Sequence, residues 1–240
     1  IAHELAMRHS RSGVTEYQLQ SIIEGFFSYA GASGWSYPSI VGCGENATIL
    51  HYTTNQDVCG DDEVILIDAG AEFRGYASDI TRSWPISGQF TDAQREIYQV
   101  VLDAQIAAID ACPVGNLYTA PHDAARAVLA EGLIRLGVIS QTVDEALDME
   151  SGELKKWYMH NTSHWIGLDV HDAGVYKPGG SPRLLEPGMC LTVEPGLYFG
   201  AWRPDVDCPE RYANIGIRIE DDVLITAEGP VVLTADCPKT

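Results

Sequence analysis

Nowhere in the 240 residues is there an apolar run close to the roughly 20 residues that a membrane-crossing helix requires, which predicts a soluble chain. Cations are scarce as well: 15 Lys and Arg stand against 34 Asp and Glu, a formal net charge of −19. A surface of that sign repels a phosphate backbone or anionic headgroups, so neither nucleic acid nor membrane is an expected partner. Part of the excess can serve bound cations, whose charge the formula omits. The six cysteines (Cys43, Cys59, Cys112, Cys190, Cys208, Cys237) are scattered and form no CxxC pair. They do not resemble a disulfide scaffold, and a reducing cytoplasm is the expected compartment. Low-complexity tracts, long charge runs and linkers are missing too, which predicts one continuous domain over residues 1–240. The chain opens without Met, inside a helical pattern of Ile1, Leu5 and Arg8; a signal or a further domain ahead of it would not be visible.

The segments that are present alternate in period. Thr15 with Gln18, and Thr91 with Gln94, have the form of capping boxes, each followed by apolar residues at helical spacing. Helices are expected over 17–27, 97–111 (Ile97, Val100, Val101, Ala104, Ala108, Ala111) and 120–136, the last closed by Gly137. Glycine and proline crowd residues 31 to 44, with short strands expected near Ile40 and Ile49. Strands are also expected over 63–68, 73–84, 189–194 and 216–226. The composite is α+β, with helices outside a largely antiparallel sheet.

Two segments repeat one pattern. Ile67-Asp68-Ala69-Gly70-Ala71-Glu72-Phe73 and Val193-Glu194-Pro195-Gly196-Leu197-Tyr198-Phe199 both read apolar, acid, any residue, glycine, two residues, phenylalanine. The displacement, from 68 to 194, is 126 positions. Each is followed by another strand with its own acid, Asp79 in the first and Glu220 in the second. This predicts a duplicated unit of helices and antiparallel strands, folded so that two pairs of carboxylates face each other.

Taken singly these acids have ordinary explanations: Asp68 as a turn residue, Asp79 as a half-exposed strand acid, Glu220 as the ion-pair partner of Arg218. Four converging carboxylates are another matter, because they repel one another severely unless protonated or neutralised. With one imidazole they offer a ligand charge that balances two divalent cations. Histidine is concentrated where such a ligand is needed: His160, His164 and His171 fall within twelve residues, and His51 precedes the first acidic strand. The donors are hard oxygen plus one nitrogen, which suits Mn²⁺, Co²⁺, Fe²⁺ or Zn²⁺ better than Mg²⁺.

These residues resemble the metallopeptidase family with the pita-bread fold, which includes methionine aminopeptidase, prolidase and aminopeptidase P. The likeness covers essentially the whole chain. It rests on Ile49-Leu50-His51-Tyr52, Ile67 to Gly70, Gly75 to Arg82, Ser163 to Asp172, Leu185 to Met189, Leu191 to Gly196 and Gly216 to Asp222. It is nearest to bacterial-type aminopeptidase P, since Ser163-His164-Trp165 stands where prolidases more usually have Gly-His-Phe. The resemblance implies two duplicated halves around a central curved sheet. It implies a dinuclear centre, usually manganese, held by Asp68, Asp79, His164, Glu194 and Glu220, with Asp79 and Glu220 shared by both ions. Glu194 would act as general base toward a hydroxide bridging the metals. His51 and His171 would hydrogen-bond the substrate, His160 would line the pocket, and Arg218 would support the ligands. The implied substrates are peptides with a penultimate proline, cut after the first residue, and the likeness leaves room for a homo-oligomer. Prolidase is the nearest alternative, and a non-catalytic peptide-binding module the more distant one. Two departures stand out: Asn161 follows His160 where the family commonly has glycine, and the family's usual N-terminal domain is not in these 240 residues.

Overall fold

A computed structural model describes residues 1–239. Two short helices open the chain, α1 (Ala2–His9) and α2 (Glu16–Tyr29). Strands follow as β1 (Gly34–Trp35), β2 (Ile40–Cys43), β3 (Val64–Asp68), β4 (Ala71–Phe73), β5 (Tyr76–Ala77) and β6 (Thr81–Pro85). Three helices come next, α3 (Asp92–Asp110), α4 (Ala120–Arg135) and α5 (Val143–Leu147). The chain then returns to strands in β7 (Cys190–Val193), β8 (Gly196–Tyr198), β9 (Gly216–Arg218), β10 (Asp221–Thr226) and β11 (Gly229–Val232). No helix among the described residues is long and apolar enough to cross a membrane.

Every strand pairing is antiparallel. In the first half β2, β3 and β6 form one sheet and β1, β4 and β5 a second; in the second half the sheets are β11-β10-β7 and β8-β9. The β2-β3-β6 sheet buries Ile65, Ile67 and Trp84 against α1 through Ala2 and Ala6 and against α2 through Leu19, Ile23 and Phe27. The strands of the second half bury Leu191, Val193, Ile217 and Val223 against α3 and α4. Both expected capping boxes form: Gln18 accepts the Thr15 N–H at 3.0 Å, and Gln94 accepts the Thr91 N–H at 3.0 Å. Helices α3 and α4 cross closely because Gly132 lies on Val100, where an added Cβ would sit 2.4 Å from a Val100 methyl. The buried residues of α4 include Ala125, Leu129, Gly132 and Leu133.

The repeated acid-x-Gly pattern has a steric cause in both halves. A Cβ on Gly70 would lie 1.7 Å from the Ser78 carbonyl oxygen, and one on Gly196 would lie 2.8 Å from the Ile217 oxygen. The chain leaving each acidic strand must pass directly over the returning strand, and only glycine permits it. The halves are joined at a seam. The Glu220 N–H donates to the Thr81 carbonyl at 3.1 Å, and the Ser83 hydroxyl donates to the Arg218 carbonyl at 3.0 Å. Arg82, 1% exposed, crosses that seam to Asp221 at 2.7 Å and also donates to the carbonyls of Glu220 and Cys237.

Three local expectations are corrected. Residues 44–48 form a turn of 3₁₀ helix, and no strand forms at Ile49. Asn46 and Thr48 account for this: the Asn46 amide donates to Glu16, Tyr52 and Asp57, and the Thr48 hydroxyl donates back to the Glu45 carbonyl at 2.6 Å. The segment 73–84 is three pieces, because Arg74 and Gly75 adopt positive φ (54° and 83°) and turn the chain between β4 and β5. Finally, Cys43 and Cys59 form a disulfide, with Cα atoms 5.6 Å apart and a sequence separation of 16. The bond closes the loop that carries His51.

A cross-link around a loop of this length removes unfolded-state entropy equivalent to about 3 kcal/mol. Cys59→Ser is therefore expected to lower stability by about that amount in urea unfolding without reductant. Equal stability of variant and wild type would show that the bond does not form.

Candidate metal centre

The acidic ends of β3 and β7 and the start of the strands after them face one cavity of about 690 Å³. Its walls include Asp68, Asp79, Glu194 and Glu220 together with His51, His160, His164 and His171. The residues singled out from sequence thus share a single cleft. They do not converge equally. One ligand atom each of Asp79, His164 and Glu220 lie within 4.8 Å of one another. Glu194 joins them through an oxygen 3.4 Å from His164 Nε2, and an Asp79 oxygen lies 3.5 Å from the same nitrogen. Asp68 is drawn aside, accepting from Arg218 Nη2 at 2.7 Å, and is tied to Asp79 through the Tyr37 hydroxyl, which contacts both carboxylates. His171 packs edge-on against His164, ring centroids 4.4 Å apart. His51 lines the cavity and is exposed.

Electrostatics show how crowded the cluster is. Burial, and then the neighbouring Asp68 charge, pushes the Asp79 carboxyl well above the usual range. Burial, followed by Asp79 and Glu194, does the same to Glu220. Burial raises Glu194 to about 7, with His164 and Arg218 pulling it back. Burial works on Asp68 as well, but Arg218 and Tyr37 outweigh it and hold this one acid below the ordinary value. Behind the cluster, Asp222 accepts the Asp79 N–H at 3.1 Å, and burial raises its own carboxyl to about 7.

The donor set fits divalent metal. His164 Nδ1 lies 3.1 Å from the Trp165 carbonyl oxygen, which can only accept, so Nδ1 carries the proton and the Nε2 lone pair faces the acids. A lone pair aimed at two carboxylate oxygens 3.4 and 3.5 Å away is repulsive unless a cation or a proton lies between them. The same reasoning fixes His160. Its Nδ1 donates to the Asn161 carbonyl at 2.8 Å, so Nε2 accepts from the Tyr198 hydroxyl at 2.8 Å. Tyr198 in turn accepts from Arg218 Nη1 at 3.0 Å. Burial and the Arg218 charge depress His160 to about 3, so it is a neutral ring. Burial, then His164 and His51, also lowers His171.

Sequence reasoning missed five supporting residues: Tyr37, Thr81, Thr192, Tyr198 and Asp222. The Thr81 hydroxyl donates to Glu220 at 2.5 Å, and the Thr192 hydroxyl donates to Glu194 at 3.1 Å. Thr81, Thr192 and Tyr198 stand one or a few positions from an acid within the repeated strands, a signal that alternation along a strand could have supplied. Tyr37 has no such signal, because it stands in a turn-rich stretch distant in sequence from both acids it binds.

Buried paired acids and an imidazole poised as a ligand sit in a duplicated antiparallel framework of the pita-bread type, and the chain belongs to metallopeptidase family M24, whose model matches residues 1–227. Among individual relatives, it is 46% identical over 239 residues to the Xaa-Pro aminopeptidase of Escherichia coli strain K12, covering 100% of this chain and 53% of that protein. Xaa-Pro aminopeptidase 3 of Rattus norvegicus is 37% identical over 230 residues, 96% of this chain and 44% of the relative. In structure, Pseudomonas aeruginosa aminopeptidase PepP superposes with a TM-score of 0.95 at 46% identity, covering 100% of this chain and 53% of that one. E. coli aminopeptidase P with the inhibitor Pro-Leu gives 0.93 at 46% identity and the same coverage. The chain thus spans about half the length of these relatives.

The raised carboxyls fix the sign of a pH effect in the metal-free protein. An acid whose folded pKa lies above its unfolded value near 4.5 stabilises the fold at low pH, and that contribution is lost as pH rises through the folded value, about 7 for Glu194. With chelator present, Tm is expected to fall between about pH 4.5 and about pH 7. Glu194→Gln should flatten part of that fall, and Mn²⁺ should stabilise most at its alkaline end. A chelated wild type and Glu194→Gln with identical pH profiles by calorimetry would contradict the crowding.

Proposed function

We propose that residues 1–240 are the catalytic domain of an Xaa-Pro aminopeptidase that releases an N-terminal residue ahead of proline. The observation that carries this reading is the convergence of Asp79, His164 and Glu220 within 4.8 Å beside Glu194, in a cavity large enough for a short peptide. The names of the relatives support the substrate class.

In this reading Asp68, Asp79, His164, Glu194 and Glu220 are the residues that would hold two divalent cations. Manganese is the metal of choice, and cobalt, zinc and iron suit the same donors. When bound, the pair of cations polarises the scissile carbonyl and makes water a nucleophile at neutral pH. Glu194 takes the proton of the attacking water. Its place beside Nε2 of His164 and Nδ1 of His160, at 3.4 and 3.7 Å, puts one acid oxygen on the ligand side and the other on the substrate side. Arg218 holds Asp68 ionised and, through Tyr198, fixes the tautomer of His160, whose one N–H is spent on the Asn161 carbonyl. His51 and His171 line the same cavity, where they can donate to the peptide and to the oxyanion that forms.

Incubating the Mn²⁺-loaded protein with Xaa-Pro-Yaa peptides and identifying products by mass tests the reading directly. Release of the first residue is expected, with Gly-Pro a poorer substrate than longer peptides; the reverse preference would make the protein a prolidase. Glu194→Ala should reduce turnover at least 100-fold and weaken metal binding, on the scale of a lost general base. His171→Ala should lower turnover at nearly full metal content. Retained metal with no cleavage of any Xaa-Pro peptide by wild type would overturn the assignment.

A further inference from the structure

A second cavity, of about 280 Å³, opens on the far side of His160 and Asn161, and these two residues line both spaces. Its character is unlike the rest of the molecule. Although the chain carries a net charge of −19, this cavity is lined by Arg126, Lys155 and His122. Arg126 projects from α4 and is half-buried. Its one hydrogen bond runs from Nη2 to the Leu147 carbonyl at 2.5 Å. Among the described residues no carboxylate forms an ion pair with it. The one acid lining the cavity, Asp148, acts on Lys155 rather than Arg126, and its Oδ1 accepts the N–H groups of Glu150 and Ser151 at 3.0 and 2.8 Å and the Ser151 hydroxyl at 2.8 Å. Asp123, on the same helix as Arg126, is exposed. With 34 acids available to 15 cations, an arginine left without a counter-ion inside a cavity is an unfilled anion site.

The cavity is also tied rigidly to the acidic cluster. His122 Nδ1 lies 2.9 Å from the Thr162 hydroxyl, Tyr158 shares that hydroxyl at 2.6 Å, and the Thr162 carbonyl accepts the Glu194 N–H at 2.8 Å. Ring contacts of 4.9 Å from His160 to Tyr158 and 5.8 Å from Tyr158 to His122 place His122, in the far wall of this cavity, within about 11 Å of His160, the reach of about three extended residues. The shared wall is where this chain has Asn161.

We propose that this second cavity is a subsite for a carboxylate carried by the substrate peptide, about two or three residues beyond the scissile bond, held by the Arg126 guanidinium with Lys155 at the rim. The direction rests on the aminopeptidase reading: only one residue precedes the bond, so the arm that reaches Arg126 is the downstream one. The carboxylate can be the C-terminus of a short peptide or an acidic side chain within a longer one.

The test compares Ala-Pro-Ala-Ala as the free acid, the same peptide amidated, and amidated Ala-Pro-Ala-Glu, with Mn²⁺-loaded protein. Affinity is read as KM where cleavage occurs and as calorimetric Kd where it does not. The free acid is expected to bind about three- to tenfold more tightly than the amide, as one partly exposed ion pair supplies. If a side chain can also fill the subsite, the glutamate peptide recovers the gain; if it matches the plain amide, the terminal carboxylate alone is the ligand. Arg126→Gln should equalise acid and amide, and Arg126→Lys should retain part of the difference. Equal affinity for acid and amide in wild type, or a preference that survives Arg126→Gln, overturns the subsite. A preference that depends on Arg126 without any cleavage would uphold the subsite and sink the aminopeptidase reading alone.

Discussion

Like charges forced together out of water are the constraint around which this molecule is arranged. Asp68, Asp79, Glu194 and Glu220 come from strands in two halves of the chain and end in one cleft. Without a counter-charge three of them are pushed toward the protonated form, since burial and their neighbours raise Asp79, Glu194 and Glu220. The surrounding residues divide the task of making the arrangement tolerable. Arg218 keeps Asp68 ionised, Thr81 and Thr192 place a hydroxyl on Glu220 and Glu194, and Tyr37 spans the first pair. What remains is a set of oxygens around one imidazole lone pair, and divalent charge is the complement it calls for.

Much of this was legible in order along the chain because the two acidic hairpins share a backbone problem. A strand that must cross over its own return has room for glycine alone, and so Asp68 and Glu194 each announce themselves by the glycine two positions later. Helical periods and capping boxes were equally local and held. The residues that escaped were those whose partners lie far away. Tyr37 meets acids 31 and 42 positions on, and Thr81 meets Glu220 139 positions on. Neither pairing leaves a periodic trace. The turn at 44–48 escaped for a similar reason: Asn46 is held by side chains of α2 and of the loop before β3, a tertiary override of strand-like neighbours.

The disulfide and the cluster share a physical logic, although the first was unforeseen. Scattered cysteines carry no signal until the fold brings Cys43, at the end of β2, beside Cys59. The loop they close bears Leu50, His51 and Thr53, three of the residues that face the large cavity. A wall built from loop rather than strand gains its rigidity from such a tie, whereas the opposite wall gains it from the network through Thr162 and Tyr198.

The seam between the halves has an implication for how alike those halves can be. Arg82 is the ladder partner of Ile67, and Asp221 is the ladder partner of Val193, the residue that corresponds to Ile67 in the other half. The two members of the buried ion pair therefore occupy matching places on either side of the pseudo-axis. Were the halves identical, arginine would confront arginine there, or aspartate would confront aspartate, in a setting from which water is excluded. The molecule has thus replaced symmetry with complementarity at its own midline: each half is shaped to recognise its opposite number and to refuse a copy of itself.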